Sequence, residues 1–111
     1  MTGPVTPNIK TLSPAEFRAC QDSPDVIVID VRDPHEYATG WEDGSCNWPL
    51  GLLTAGRVAA LILEHGITPQ HRLVLLCTRG MRAMQAAGQL CRLLPNEIAV
   101  VEGGHVALTG N

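Results

Sequence analysis

Three short runs of apolar residues stand out from the polar and glycine-rich segments that separate them. They cover residues 26–29, 73–76 and 98–101, and each is an uninterrupted set of valine, isoleucine, leucine or alanine. Continuous runs of this length are typical of strands buried on both faces, as in a parallel sheet. The pattern therefore predicts three adjacent inner strands of one mainly parallel sheet.

Helix signals occupy the segments between these strands. Ser13 and Glu16 form a capping box around Pro14 at the first helical position, and Asp33 precedes Pro34 in the same way. Helices are predicted over residues 14–20, 34–40, 57–65 and 81–94, with a short strand near residues 46–48. Strands that alternate with helices through right-handed crossovers predict an α/β fold, an open, mainly parallel β-sheet with helices on both faces.

The length and composition of the chain fit one folded domain. Its 111 residues are enough for a single core, and a composition of 45% hydrophobic and 17% charged residues excludes an intrinsically disordered chain. Residues 1–8, with Gly3, Pro4 and Pro7, are predicted to form a loose N-terminal tail before a domain at residues 9–111. Because this tail lacks a cationic, apolar signal sequence, we expect a cytoplasmic protein.

Charge and hydropathy narrow the choice of partners. The chain carries a formal net charge of −3 and a single lysine, Lys10, so we expect no nucleic-acid partner. No apolar run approaches the ~20 residues of a membrane span, so we expect no membrane partner. Residues 56–111 carry five arginines against three acids, which favours the binding of a small anion near the loops of this half.

The spacing of the cysteines argues against a metal or dithiol site. The four cysteines are Cys20, Cys46, Cys77 and Cys91, and no two of them form a CxxC pair. Neither a zinc site nor a thioredoxin-type motif is therefore predicted, and no metal is expected. Disulfides are not expected in a reducing cytosol, and at least three of these thiols are expected to be small packing residues.

Cys77 has different surroundings, because it ends a buried strand and faces the start of a helix. Open parallel sheets bind ligands at the carboxyl ends of their strands. Backbone N–H groups of a tight loop, the helix dipole and the charges of Arg79 and Arg82 all favour a thiolate, and Gly80 allows the turn. We therefore interpret Cys77 as a nucleophile rather than as an inert residue at a strand end.

Three motifs, in this order along the chain, resemble those of the rhodanese sulfurtransferases. They are the stretch at residues 29–37, the CxxGxR loop at residues 77–82 and the sequence Glu102-Gly103-Gly104. With their spacing they extend the resemblance over residues 9–108, nearly the whole chain. The chain thus resembles a single-domain rhodanese-type sulfurtransferase.

This resemblance implies an enzyme that works through a persulfide on Cys77. The thiolate would take a sulfane sulfur from thiosulfate or a persulfide donor and pass it to cyanide in vitro, or to a thiol or partner protein in the cell. No cofactor is implied, and the protein partner would be a member of a sulfur relay. The implied substrate-binding loop is formed by Thr78, Arg79, Gly80, Met81 and Arg82.

Several neighbouring residues keep two interpretations each. The resemblance implies that Asp30 is a structural hydrogen-bonding residue and that Arg32 is a charge near the pocket. The alternative is that Asp30 caps the end of its strand and forms a local ion pair with Arg32. Arg82 either faces the sulfur or turns away to bind a carboxylate such as Asp30. Whether Trp41, Cys46 or His105 reaches the pocket stays open, whereas Trp48 is expected in the core.

Two other functions compete with sulfur transfer. The first is a non-catalytic binding module of the same fold, which the presence of Cys77 disfavours. The second is a cysteine phosphatase or arsenate reductase. Cys77 and Arg82 enclose four residues, one fewer than the cysteine phosphatases use, so the loop is expected to be too narrow for a phosphate.

Overall fold

The computed structural model describes residues 9–110, so the predicted tail at residues 1–8 lies outside the described residues. The five strands are β1 (Ile9–Leu12), β2 (Val26–Asp30), β3 (Cys46–Asn47), β4 (Arg72–Leu76) and β5 (Ile98–Val101). They form one sheet in the order β1-β5-β4-β2-β3, and every neighbouring pair is parallel. The three predicted inner strands are confirmed as β2, β4 and β5, with β4 between the other two.

The helices cover the segments between the strands. They are α1 (Pro14–Cys20), α2 (Pro34–Ala38), α3 (Ala55–His65), α4 (Met81–Leu93) and α5 (Gly104–Thr109), and a single 3-10 turn spans Leu50–Leu52. The helix predicted from residue 57 begins two residues earlier, because the side chain of Thr54 accepts a hydrogen bond from the N–H of Arg57 and caps α3.

Two elements were not predicted, the strand β1 and the helix α5. Half of β1 is polar and exposed at Lys10 and Thr11, so it has no continuous apolar run. It forms because it pairs along its full length with β5, where Ile9 lies opposite Ile98. An edge strand needs burial on one side only, which leaves a weak signal in sequence.

Two hydrophobic layers cover the two faces of the sheet, as predicted. Along β4, Leu73 and Leu75 belong to one buried cluster and Val74 and Leu76 to the other, as the alternation of a strand requires. Residues of α3 and α4 fill the first layer, and Phe17 of α1, which is fully buried, fills the second. Within residues 9–110, no helix has both the length and the apolar character needed to cross a membrane.

Candidate active site

Cys77 follows the last residue of β4 and begins the loop that leads into α4. Cys77 is buried, with only 1% of its surface exposed. The Sγ atom accepts hydrogen bonds from the backbone N–H groups of Gly80, at 3.0 Å, and Ala83, at 3.3 Å. Both donors belong to the first turn of α4 or its cap, so the loop directs backbone dipoles at the sulfur, as the sequence predicts. This arrangement stabilises negative charge on Sγ.

The loop turns back on itself through a glycine. Gly80 caps α4 with a φ of 111°, a conformation that favours glycine, and this turn brings its own N–H towards the sulfur. The prediction that Gly80 supplies the backbone geometry of the loop agrees with this arrangement.

The start of α5 supports the loop from the side of β5. The N–H of His105 donates to the carbonyl oxygen of Cys77 at 2.8 Å, and the N–H of Val106 donates to that of Thr78 at 3.1 Å. Gly104 makes this approach possible, because a Cβ atom there would lie 2.4 Å from the oxygen of Cys77 and its φ is 62°. The sequence signalled this contact only through its paired glycines.

Arg82 binds a carboxylate, but the carboxylate belongs to Glu36 of α2 and not to Asp30. Its Nη1 donates to Glu36 Oε1 at 2.6 Å, and its Nη2 donates to Oε2 at 2.9 Å. Nη2 also donates to Thr78 Oγ1 at 2.9 Å, and that hydroxyl donates to Glu36 Oε2 at 3.1 Å. The three side chains thus form a closed network beside the sulfur.

This network changes the acid–base properties of its members. The hydrogen bonds from Arg82 are the main cause that lowers the pKa of Glu36 to about 2, even though partial burial acts in the other direction. The same hydrogen bonds raise the pKa of Arg82. Glu36 is therefore a carboxylate, and Arg82 a cation, throughout the neutral range.

Asp30 and Arg32 form a local ion pair, which is the second of the two interpretations given above. Both residues are buried, and Arg32 Nη2 donates to Asp30 Oδ2 at 2.8 Å and to the carbonyl of Gly40 at 2.7 Å. The N–H of Arg32 also donates to Asp30 Oδ1 at 3.0 Å. Because the pair is well hydrogen-bonded, it holds the segment after α2 against the sheet without facing the pocket.

An open pocket of about 460 Å³ lies over the loop. It is lined by Glu36, Cys77, Thr78, Arg79, Met81, Arg82 and Gln85. Five of the six predicted loop residues are among these, and Gly80 contributes its backbone. Glu36 and Gln85 were missed as site residues. The only signals for them were the position of Glu36 as the capping acid of α2 and that of Gln85 one turn after Met81.

Arg79 is the unpaired cation of this pocket. Its side chain is exposed, and no acidic group in the described part of the chain forms an ion pair with it. Arg79 and Arg82 were both predicted to attract an anion. Because Arg82 is paired with Glu36, only the guanidinium of Arg79 is free to do so.

The three residues left open do not line the pocket. Trp41 is exposed and stacks on Tyr37 at a ring distance of 5.7 Å. Burial raises the pKa of the Cys46 thiol to about 11, and its Sγ lies 3.6 Å from the carbonyl oxygen of Val28, as befits a packing residue. The ring of His105 lies 3.9 Å from a carboxylate oxygen of Glu42.

Two further observations concern the core and metal ions. Trp48 is buried in the larger hydrophobic cluster, as expected. Among residues 9–110, no group of three or more histidine, cysteine or acidic side chains is placed to hold a metal ion.

Comparison with known proteins identifies similar domains. A family model, described as a rhodanese-like domain, matches residues 13–110. A curated relative from Salmonella arizonae, named tRNA uridine(34) hydroxylase, is 28% identical over 95 residues. That match covers 84% of this chain but 26% of the relative, so the chain spans about a quarter of the length of such relatives.

Solved structures share the fold. A rhodanese-related protein from Thermoplasma volcanium aligns with a TM-score of 0.70 at 23% identity, over 91% of each chain. A protein of unknown function from Rhodopseudomonas palustris, described as a possible tyrosine phosphatase, aligns with a TM-score of 0.70 at 28% identity. The latter alignment covers 92% of this chain and 80% of the other.

Proposed function

The chain belongs to the rhodanese-like domain family, and from this premise we propose that it is a sulfurtransferase that carries sulfur as a persulfide on Cys77. The observation that carries the proposal is the position of the sulfur. Sγ accepts two backbone N–H hydrogen bonds and borders an open pocket that holds an unpaired arginine. A thiolate held in this way is a nucleophile that an anionic or polarisable sulfur donor can reach from the pocket.

The reaction needs two displacements at sulfur. In the first, the Cys77 thiolate attacks the outer sulfur of the donor, a new S–S bond forms, and the donor's own bond to that sulfur breaks. Thiosulfate then releases sulfite as the leaving group, and a persulfide donor releases its thiol. In the second, a thiol or cyanide attacks the outer sulfur of the persulfide, and the bonding pair returns to Cys77 as a thiolate.

The pocket offers room for the transferred atom. An S–S bond is about 2.05 Å long, so the outer sulfur of the persulfide extends beyond the buried Sγ towards the lining residues. Thr78 and Arg79 are among those lining residues. A positive charge near the terminal sulfur lowers the energy of its anionic form.

The phosphatase alternative finds less support in this geometry. The loop is one residue shorter than that of the cysteine phosphatases. In addition, Arg82 already donates its N–H groups to Glu36 and Thr78, which leaves fewer donors for a phosphate oxygen. We expect no useful hydrolysis of aryl phosphates. Phosphatase turnover that depends on Cys77 and matches the rate of sulfur transfer would overturn this expectation.

The curated relatives suggest a second candidate, a thiol-bearing part of a tRNA-modifying enzyme. The support for this candidate is that the relatives are named as tRNA uridine(34) hydroxylases, although they are about four times as long as this chain. The acidic balance of the chain argues against tRNA binding by this domain alone. Retention of tRNA by the purified protein at physiological salt would favour this candidate and contradict the expected lack of a nucleic-acid partner.

The decisive experiment is the intact mass of the protein after incubation with a sulfur donor. We expect a gain of one sulfur atom, which cyanide or a thiol removes again. Cys77→Ser should remain unloaded while keeping its fold, and Cys46→Ser should still be loaded. A wild-type protein that gains no sulfur from thiosulfate or from any persulfide would refute the proposal.

A further inference from the structure

The charges that line the pocket cancel. Of the lining residues, Arg79 and Arg82 each carry one positive charge, Glu36 carries one negative charge, and the reactive form of Cys77, its thiolate, adds a second negative charge. Glu36 is essential to this balance, because its carboxylate binds Arg82 through both oxygens and holds that charge. Without Glu36, the site would have a net positive charge. With it, only Arg79 is left to attract an anion.

Thiosulfate and persulfides differ in the charge that they bring. Thiosulfate carries two negative charges and must approach a thiolate that carries a third, and its leaving group, sulfite, is again a dianion. A protonated persulfide carries no charge on its sulfur atoms, and an ionised one carries a single charge. Near a protein surface, one uncompensated charge a few ångströms from the ligand changes binding by about tenfold or more.

The shape of the pocket also favours an organic donor. Its volume of about 460 Å³ lies in the range of sites for small organic molecules, well above the needs of an ion of five heavy atoms. Met81 gives the pocket an apolar, highly exposed wall, and Gln85 adds a polar one. These side chains can contact the organic part of a persulfide, a part that thiosulfate lacks.

We propose that Glu36 makes the site selective for sulfur donors of low negative charge, namely the persulfides of thiols, over thiosulfate. This inference rests on the proposed sulfurtransferase function. The loading step is Cys77–S⁻ + R–S–SH → Cys77–S–S⁻ + R–SH. The donor's S–S bond breaks, a new S–S bond forms on Cys77, the proton of the transferred sulfur passes to the departing thiolate to give R–SH, and the sulfane sulfur keeps its oxidation state.

The test compares three persulfides that differ in charge and little else, with thiosulfate beside them. Persulfides of 2-mercaptoethanol, 3-mercaptopropionate and cysteamine are neutral, anionic and cationic in their organic part, and thiosulfate completes the series. We expect the wild-type protein to have a higher kcat/KM for the neutral persulfide than for thiosulfate. Glu36→Gln should raise the ratio of kcat/KM for anionic to neutral donors about tenfold, and added salt should reduce that change.

Matched variants separate charge from structure. Glu36→Asp keeps the charge and should keep the donor ratio, whatever happens to the overall rate. Arg79→Gln should move the ratio in the opposite direction. Glu64→Gln makes the same change of charge on the exposed end of α3, near the start of β4 and away from Cys77, and should leave both activity and ratio unchanged.

Two results would overturn the inference while leaving the proposed function intact. One is a wild-type preference for thiosulfate over the neutral persulfide. The other is a donor ratio that stays the same in Glu36→Gln and in Arg79→Gln. If Glu36→Gln fails to fold, the wild-type donor series and Arg79→Gln decide the question. If no donor loads Cys77 at all, the proposed function itself fails.

Discussion

The sulfur of Cys77 and the guanidinium of Arg82 lie in the same loop but have different sources of stabilisation. The sulfur depends on backbone N–H groups, which no substitution of a side chain removes. The guanidinium depends on Glu36, a side chain from another helix. A change at Arg82 therefore acts on the sulfur in two ways, through the lost positive charge and through the carboxylate that it leaves unpaired.

Replacement of Arg82 by methionine should slow the reaction of Cys77 with iodoacetamide and move its pH dependence to higher pH. The physical reason is that the Glu36 carboxylate, which lines the same pocket as Cys77, would then lose the cation that neutralises it. The double variant Arg82→Met/Glu36→Gln removes both charges and should recover much of the wild-type profile. Rates of alkylation measured from pH 5 to 10 provide the check. Identical profiles in all three proteins would mean that the backbone N–H groups suffice.

How much of the site can be predicted from sequence depends on how far apart its residues lie along the chain. Cys77 and Arg82 are separated by four residues, so their neighbourhood is a matter of local geometry and could be predicted. The pair of Asp30 and Arg32 is local as well. Glu36 meets Arg82 only because β2 lies beside β4, and the apolar runs predict that these strands are inner ones without fixing their order in the sheet.

Three elements meet at the loop, namely the end of β4 and the starts of α4 and α5. The apolar runs predicted β4, and the glycine predicted the start of α4. No pattern predicted that α5 would donate two hydrogen bonds to the loop, because its signal was a pair of glycines and the contact depends on β5 pairing with β4. The glycine at position 104 is the point where this support can be tested.

Gly104→Ala should destabilise the fold and impair sulfur loading together. The new Cβ would lie 2.4 Å from the oxygen of Cys77 and 2.6 Å from that of Thr78, so the loop or α5 must move. We expect a loss of about 3 kcal/mol in the free energy of unfolding in urea, as for other strained or overpacked sites. The measurements are urea unfolding and the intact mass after treatment with a donor.

Gly110→Ala is the matched control for this change. Gly110 also has a positive φ, of 77°, but among residues 9–110 no atom beyond its immediate chain neighbours lies within 4 Å of the position of its Cβ. The Gly110→Ala variant should lose about 1 kcal/mol in the free energy of unfolding, from backbone strain alone, and Cys77 should still be loaded with sulfur. Equal losses in the two variants would contradict the role given to the contact between Gly104 and the loop.

The molecule as a whole joins distant segments by ion pairs, and the pair of Glu36 and Arg82 ties α2 to α4. The pKa of Glu36 is lowered from 4.5 to about 2 in the folded protein. A carboxyl whose pKa is lowered by folding stabilises the protein above its unfolded pKa and loses that effect as the pH falls towards its folded pKa. The contribution is therefore present at neutral pH and declines below about pH 4.5.

The pH dependence of the free energy of unfolding should reveal the contribution of the pair of Glu36 and Arg82. The difference in free energy of unfolding between the wild-type protein and Glu36→Gln should be largest near pH 7 and should shrink between about pH 4.5 and pH 2. We expect at most about 1 kcal/mol, because 37% of the Glu36 side chain is exposed and solvent screens the pair. Thermal or urea unfolding across this range is the measurement. A difference that stays constant with pH would show that the pair contributes nothing to stability.

The strand order also bears on how the chain reaches its native state. β1 pairs with β5 alone, so Ile9 has no partner until Ile98 is in place, whereas Ile98 also pairs with Leu73 of β4. Pairings between such distant residues require large loops to close first, which makes folding slower than in proteins with mostly local contacts. On the ribosome, a nascent chain that has not yet exposed β5 and α5 can form only the β2–β4 half of its sheet. Its cysteine loop then lacks the support of α5, so the domain acquires its sulfur site only once synthesis has passed those elements.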